Sequence, residues 1–247
     1  MKIKQMFIWS WKNNWIVFPV FFGVLLLVNL FMAIIVAVLP EEGGVSGTNG
    51  SAFIVALVLG LINFAYALRW GGANSVSRRS VYVGSLAFLA SFAVVLSVLE
   101  AAMRLAFSWN PAFRQGEIFH FLFAEWSAEK GFAFMALSHL IWSIAMALLL
   151  HMIGYFLGGA FYRLGRIGKV LLAAGTPVTL LVVLPIVTVI LPEGVQAALM
   201  SFFGNLFRFL MQTPFHMALV FLVISVVFAF FAWLLVRKAP VNPAPLG

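Results

Sequence analysis

No charged side chain occurs between Lys12 and Glu41, between Glu42 and Arg69, between Lys130 and Arg163, or between Arg208 and Arg237. An uncharged, largely apolar run of about 20 residues can satisfy its backbone hydrogen bonds inside one helix and cross about 30 Å of hydrocarbon. Ordinary soluble domains carry charge on about a quarter of their residues. Here 9% are charged and 64% are hydrophobic, so 247 residues cannot hide their apolar surface from water. Membrane barrels are excluded too, because their strands alternate in polarity over about ten residues. The fold class is an all-α polytopic membrane protein.

The pattern predicts six spans, at about Trp15–Leu39, Ala52–Leu68, Val81–Phe107, Phe132–Leu157, Val170–Leu191 and Pro214–Val236. Residues 1–14 mix Lys2, Lys4 and Lys12 with Met6, Phe7, Trp9 and Trp11. Such a mixture suits a helix lying in the membrane interface or a flanking anchor for the first span. One transmembrane domain then occupies the chain: residues 1–14, a six-span bundle over 15–236, and a tail over 237–247. No extramembrane stretch is long enough to bury a core of its own.

Charge sets the orientation. Eleven of the 15 cations fall on one side: Lys2, Lys4, Lys12, Arg69, Arg78, Arg79, Arg163, Arg166, Lys169, Arg237 and Lys238. Arg104, Arg114, Lys130, Arg208 and all seven acids fall on the other, in outer loops or outer span ends. The positive-inside rule then predicts cytoplasmic termini, and it accounts for the net charge of +8 with membrane lipids rather than nucleic acid as partners.

Little catalytic chemistry is available. The chain has no cysteine and no aspartate, and neither a phosphate-binding Gly-Lys-Ser/Thr loop nor a His-Glu-x-x-His helix. No cofactor or metal is therefore expected in the chain itself. His139 and His151, twelve residues apart, would lie about 18 Å apart on one helix and cannot share a metal; each reads as a buried imidazole bonded to a neighbouring helix. His120 and Glu117 read as an outer-loop pair. Glu100, four residues before Arg104, shares its helix face, either as a self-neutralising intramembrane pair or as a functional carboxylate. Pro177 and Pro185 predict kinks in the fifth span. Between spans 5 and 6, residues 192–213 carry Val195, Leu199, Phe202, Phe203, Leu206, Phe207 and Leu210 at helical steps. They predict an amphipathic helix, interfacial or re-entrant.

The stretch Trp70-Gly-Gly-Ala-Asn-Ser-Val-Ser-Arg-Arg-Ser-Val-Tyr-Val-Gly84 is a short basic break between two apolar runs. Asn74, Ser75, Val76, Ser77, Arg78 and Arg79, followed by Gly84, resemble the connection between spans 2 and 3 of small ABC-2 type permeases of Gram-positive bacteria. A Glu late in the third span is also common there, and Glu100 matches it. The resemblance implies the transmembrane subunit of an ATP-driven transporter, an exporter in the bacterial cytoplasmic membrane. Residues 70–82 would couple it to separate cytoplasmic ATPase subunits that hold ATP and magnesium. A second permease, identical or related, would complete the assembly. The competing reading is a non-transporting scaffold or regulatory subunit, and an intramembrane enzyme lacks a visible nucleophile or metal set.

Overall fold

The computed structural model describes residues 2–38, 48–108, 118–127, 130–183, 185–186 and 190–239. Expectations that fall on Glu41, Glu42, Arg114, Glu117, Glu129 and the tail from residue 240 lie outside them.

The described residues are helical, with no strand among them. In chain order they form α1 (Ile3–Asn14), α2 (Val17–Val38), α3 (Thr48–Ala73), α4 (Arg78–Phe107), two short helices α5 (Ile118–Leu122) and α6 (Ala124–Ser127), and α7 (Phe132–Arg163). There follow α8 (Arg166–Val178), a π-helical turn (Thr179–Val183), α9 (Glu193–Gln212) and α10 (Pro214–Arg237). Five segments among these residues are long and apolar enough to cross a membrane: Ile3–Val36, Gly50–Ala73, Arg78–Phe107, Phe132–Arg163 and Pro214–Arg237. They match five of the six predicted spans.

The expected fifth span, Val170–Leu191, is not one regular helix over its described residues. Pro177 has no N–H to donate and lies one residue before the end of α8, and the chain then widens into the π turn. No residue of α8 is buried. The predicted amphipathic helix is present as α9, also without a buried residue, and it meets α10 at a sharp corner. Thr213 is extended there, and its hydroxyl oxygen caps α10 by accepting from the His216 N–H at 3.2 Å.

α7 is the central helix, packed against α3, α10 and α4. The α3–α7 contact is a backbone-to-backbone approach. A Cβ on Gly154 would overlap the Leu57 carbonyl oxygen, one on Gly158 that of Leu61, and one on Gly60 that of His151. In lipid, helices gain little from burying apolar surface, so close contact at small residues is a main source of association.

Paired residues give the helix directions. Phe53 meets Trp142 and Phe64 meets Tyr155 and Tyr162, so α3 and α7 run parallel. Trp142 donates to the Met217 sulfur at 3.1 Å and Phe156 packs on Phe228, so α10 runs the same way. Phe92 meets His151 while Glu100 meets Ser143, so α4 runs against them. α1 runs with α4: Met6 sits on Gly84, and the Trp11 indole donates to the Ser91 hydroxyl at 3.1 Å. α1 therefore lies along α4 rather than apart from the bundle, and it continues through Trp15 and Ile16 into α2 with near-helical hydrogen bonding.

The interior is apolar, as in a water-soluble bundle, but the outside is apolar as well. Val20, Leu27, Phe31, Ile54, Val58, Val98 and Leu219 are exposed. Asn14, Asn29, Ser138 and Ser225 are buried and return a hydrogen bond to the carbonyl four residues earlier, at 2.6–3.0 Å. Where water is absent, such internal partners keep a polar side chain tolerable.

Candidate functional site

The helix directions bring the basic ends together. The start of α1, the end of α3, the start of α4, the end of α7, the start of α8 and the end of α10 place Lys2, Arg69, Arg78, Arg79, Arg163, Arg166 and Arg237 at one end of the molecule. Lys130, before α7, and Glu125 in α6 lie at the other.

The α3–α4 turn forms the centre of the basic end. α3 extends to Ala73, five residues beyond the predicted span, so Gly71 and Gly72 are helical and do not terminate it. The terminator is Ser75, whose φ of 51° is left-handed. Val76 N–H bonds back to the Gly71 carbonyl at 2.8 Å and Ser75 N–H to that of Gly72 at 3.3 Å, a Schellman close. Val76 buries against this last turn, where a Cβ on Gly71 would touch it. Ser77 then caps α4 by accepting from the Ser80 N–H at 3.3 Å. The expected coupling segment is thus a four-residue corner with no helix of its own, and Arg78 and Arg79 occupy the first turn of α4.

Two cations at a helix N-terminus oppose the helix dipole, at about 0.3–1 kcal/mol each. Arg78 finds compensation inside the molecule: its guanidinium donates to the Arg237 carbonyl, at the negative end of α10. Arg79 is exposed. On the other flank, Lys2 donates to the Asn74 carbonyl at 3.0 Å and Trp9 stacks on Trp70 with ring centroids 4.9 Å apart. α1, α3, α4 and α10 are therefore tied together at this corner. Asn74, Ser75, Ser77, Arg78 and Arg79 are exposed, and Val76 is the buried member.

A second polar site lies toward the opposite end. Glu100 is only 4% exposed. One carboxylate oxygen accepts from the Ser143 hydroxyl at 3.2 Å, and the other lies 3.7 Å from His139 Nε2. His139 Nδ1 is buried and has no hydrogen-bond partner among the described residues. Phe119 and Trp142 flank the imidazole at centroid distances of 5.0 and 6.1 Å. Phe119 and Phe123, from the outer segment between α4 and α7, plug this end of the bundle. Arg104, one turn on, is partly buried.

A carboxylate, an imidazole and a hydroxyl grouped in this way can exchange a proton or hold a polar group. Residue spacing had placed Arg104 beside Glu100, but Ser143 and His139 come from a helix about forty residues away. The one signal that could have found them is their position on one face of a helix otherwise apolar over three turns. His139 thus contacts a neighbouring helix as expected. His151 packs its ring on Phe92 of α4, but its hydrogen bond stays on its own helix, with Nδ1 2.7 Å from the carbonyl of Ala147. Among the described residues no group of three His or acidic side chains could hold a metal ion. No protein-family model, curated protein or solved structure matches the chain.

Proposed function

We propose that this chain is the membrane-spanning permease subunit of an ATP-driven exporter of ABC-2 type, coupled at the Asn74–Arg79 corner to a separate ATPase subunit that holds ATP and magnesium. One observation carries the reading: the corner is bonded to α1 through Lys2 and to α10 through Arg78, with Arg79 left outward. A push at this corner would therefore be felt by four helices at once.

Six crossings, with the basic end in the cytoplasm, complete the proposal. α7 ends at the basic end, whereas α10 starts at the other, where Phe215 packs on Phe134. The chain from Gly165 to Thr213 has to travel between them, which supports residues 166–191 as a sixth, irregular crossing. Charge segregation supports the orientation. Trp142, Tyr155, Phe64, Phe88 and Phe92 fill the bundle. A substrate path is thereby directed to the edge of the subunit, against a second permease, identical or related. The same filled interior is what favours the alternative, a non-transporting scaffold or regulatory subunit of a membrane complex.

Arg79→Glu is the cleaner probe, because Arg78 already has an internal partner. Arg79→Glu and the double variant Arg78→Glu/Arg79→Glu are expected to insert normally and to lose ATPase co-purification by about tenfold or more, the effect of a reversed interfacial charge. Arg163→Glu/Arg166→Glu is the control for general loss of positive charge. Full ATPase association by the Arg79 variants would remove the coupling reading and leave the scaffold.

A further inference from the structure

Ile62, Tyr66 and Arg69 lie at i, i+4 and i+7 on α3 and share one face with Leu61 and Ala65. Opposite them stand Gly158, Phe161 and Tyr162 of α7, and Lys169 of α8 closes the end. These residues bound an open groove of about 310 Å³. Its floor is apolar, since Gly158 has no side chain to fill it and α3 and α7 touch there. Its mouth is cationic: Arg69 and Lys169 come from different helices, and neither side chain has a hydrogen-bond or ion-pair partner among the described residues. Among the described residues no acid lines the groove.

We infer that this groove binds one anionic glycerophospholipid of the leaflet at the basic end. The phosphate lies between Arg69 and Lys169, and one acyl chain descends along Ala65, Ile62 and Leu61. From Arg69 to Leu61 is eight residues, about 12 Å along the helix, which carries a ligand from headgroup level into the acyl region. The volume is at the low end for ligand pockets, enough for a phosphoglycerol and the first methylenes rather than a whole lipid. Tyr66 and Tyr162 stand at the boundary, where phenol rings favour both phases. A soluble phosphate would leave the apolar floor uncovered, whereas a zwitterionic lipid would place its own cation against two others. Basic pockets between membrane helices suit anionic headgroups for this reason. The inference rests on the membrane fold and not on the transport reading.

The intact chain, reconstituted in phosphatidylcholine vesicles, is titrated with a phosphatidylglycerol carrying a photoactivatable acyl chain, and crosslinks are mapped by mass spectrometry. Crosslinks are expected on residues 61–66 and 158–162. Arg69→Gln/Lys169→Gln is expected to weaken their apparent affinity about thirtyfold, the effect of two basic contacts. Arg208→Gln, a cation near the opposite end, is expected to change nothing. Ala65→Trp fills the floor with both cations intact and is expected to abolish the crosslinks, which keeps the test decisive if the double variant fails to fold. Equal crosslinking by photoactivatable phosphatidylcholine, or no change in the double variant, would show ordinary boundary lipid and overturn the site. Displacement by millimolar inorganic phosphate, or survival of headgroup binding in Ala65→Trp, would identify a soluble-anion site instead and overturn it equally.

Discussion

Glu100 shows what a single residue means in this setting. Its carboxylate is buried at a helix–helix contact, where Ser143 and His139 of α7 approach it at 3.2 and 3.7 Å. Glu100→Gln keeps an oxygen for the Ser143 hydroxyl and is expected to change thermal unfolding in detergent only slightly. Glu100→Leu strands a buried hydroxyl and a buried imidazole, at about 1–3 kcal/mol, and is expected to lower the unfolding temperature clearly. Glu100→Gln/Arg104→Met is expected to stay close to the parent in expression and unfolding. An unfolding temperature unchanged by Glu100→Leu would mean that the α7 contacts contribute nothing. Ser75 offers the opposite case. A left-handed L-residue costs about 1 kcal/mol, so Ser75→Gly is expected to raise the unfolding temperature while leaving the corner intact; a decrease would refute the strain.

At the level of the element, α7 is held to α3 by absent side chains. Gly60, Gly154 and Gly158 let carbonyl oxygens of one helix rest where the Cβ atoms of the other would be. Gly154→Val has backbone, not a flexible side chain, in its way, so the two helices must separate along their length. Overpacking of this kind costs about 1–3 kcal/mol or more, and Gly154→Val is expected to unfold at markedly lower temperature in detergent. Gly23 and Gly175, also helical, have nothing within 4 Å of a built Cβ. Alanine there is expected to be neutral or slightly stabilising, because it restricts the unfolded chain. Similar losses at Gly154 and Gly23 would show that the α3–α7 approach is not tight.

At the level of the whole molecule, the parallel course of α3, α7 and α10 makes the connection from 164 to 213 decisive. Single cysteines placed in this cysteine-free chain at Asn74, Gly165, Lys130 and Gly194 separate the alternatives. An impermeant thiol reagent applied to intact cells is expected to label Lys130→Cys and Gly194→Cys, and to reach Asn74→Cys and Gly165→Cys only after permeabilisation. Gly165 and Gly194 on the same side would mean that residues 166–191 do not cross. Asn74 labelled from outside would reverse the orientation drawn from charge.

Helix content, the membrane environment and the grouping of basic ends were legible in the sequence, because each follows from partition. A residue's preference for hydrocarbon or for the basic side acts largely through the residue itself, so a linear reading recovers it. Burial was not legible. α2 and α7 read as similar apolar runs, yet α2 is mostly exposed and α7 is buried among three helices. Lipid is as apolar as leucine, so hydropathy does not rank one helix as central; the glycines of α3 and α7 do, and only when they face each other. The same holds for the sites. Arg104 could be placed beside Glu100 by spacing, but Ser143, His139 and the Arg69–Lys169 pairing depend on which helices touch. That choice is made by shape at close range, and the tertiary structure alone decides it.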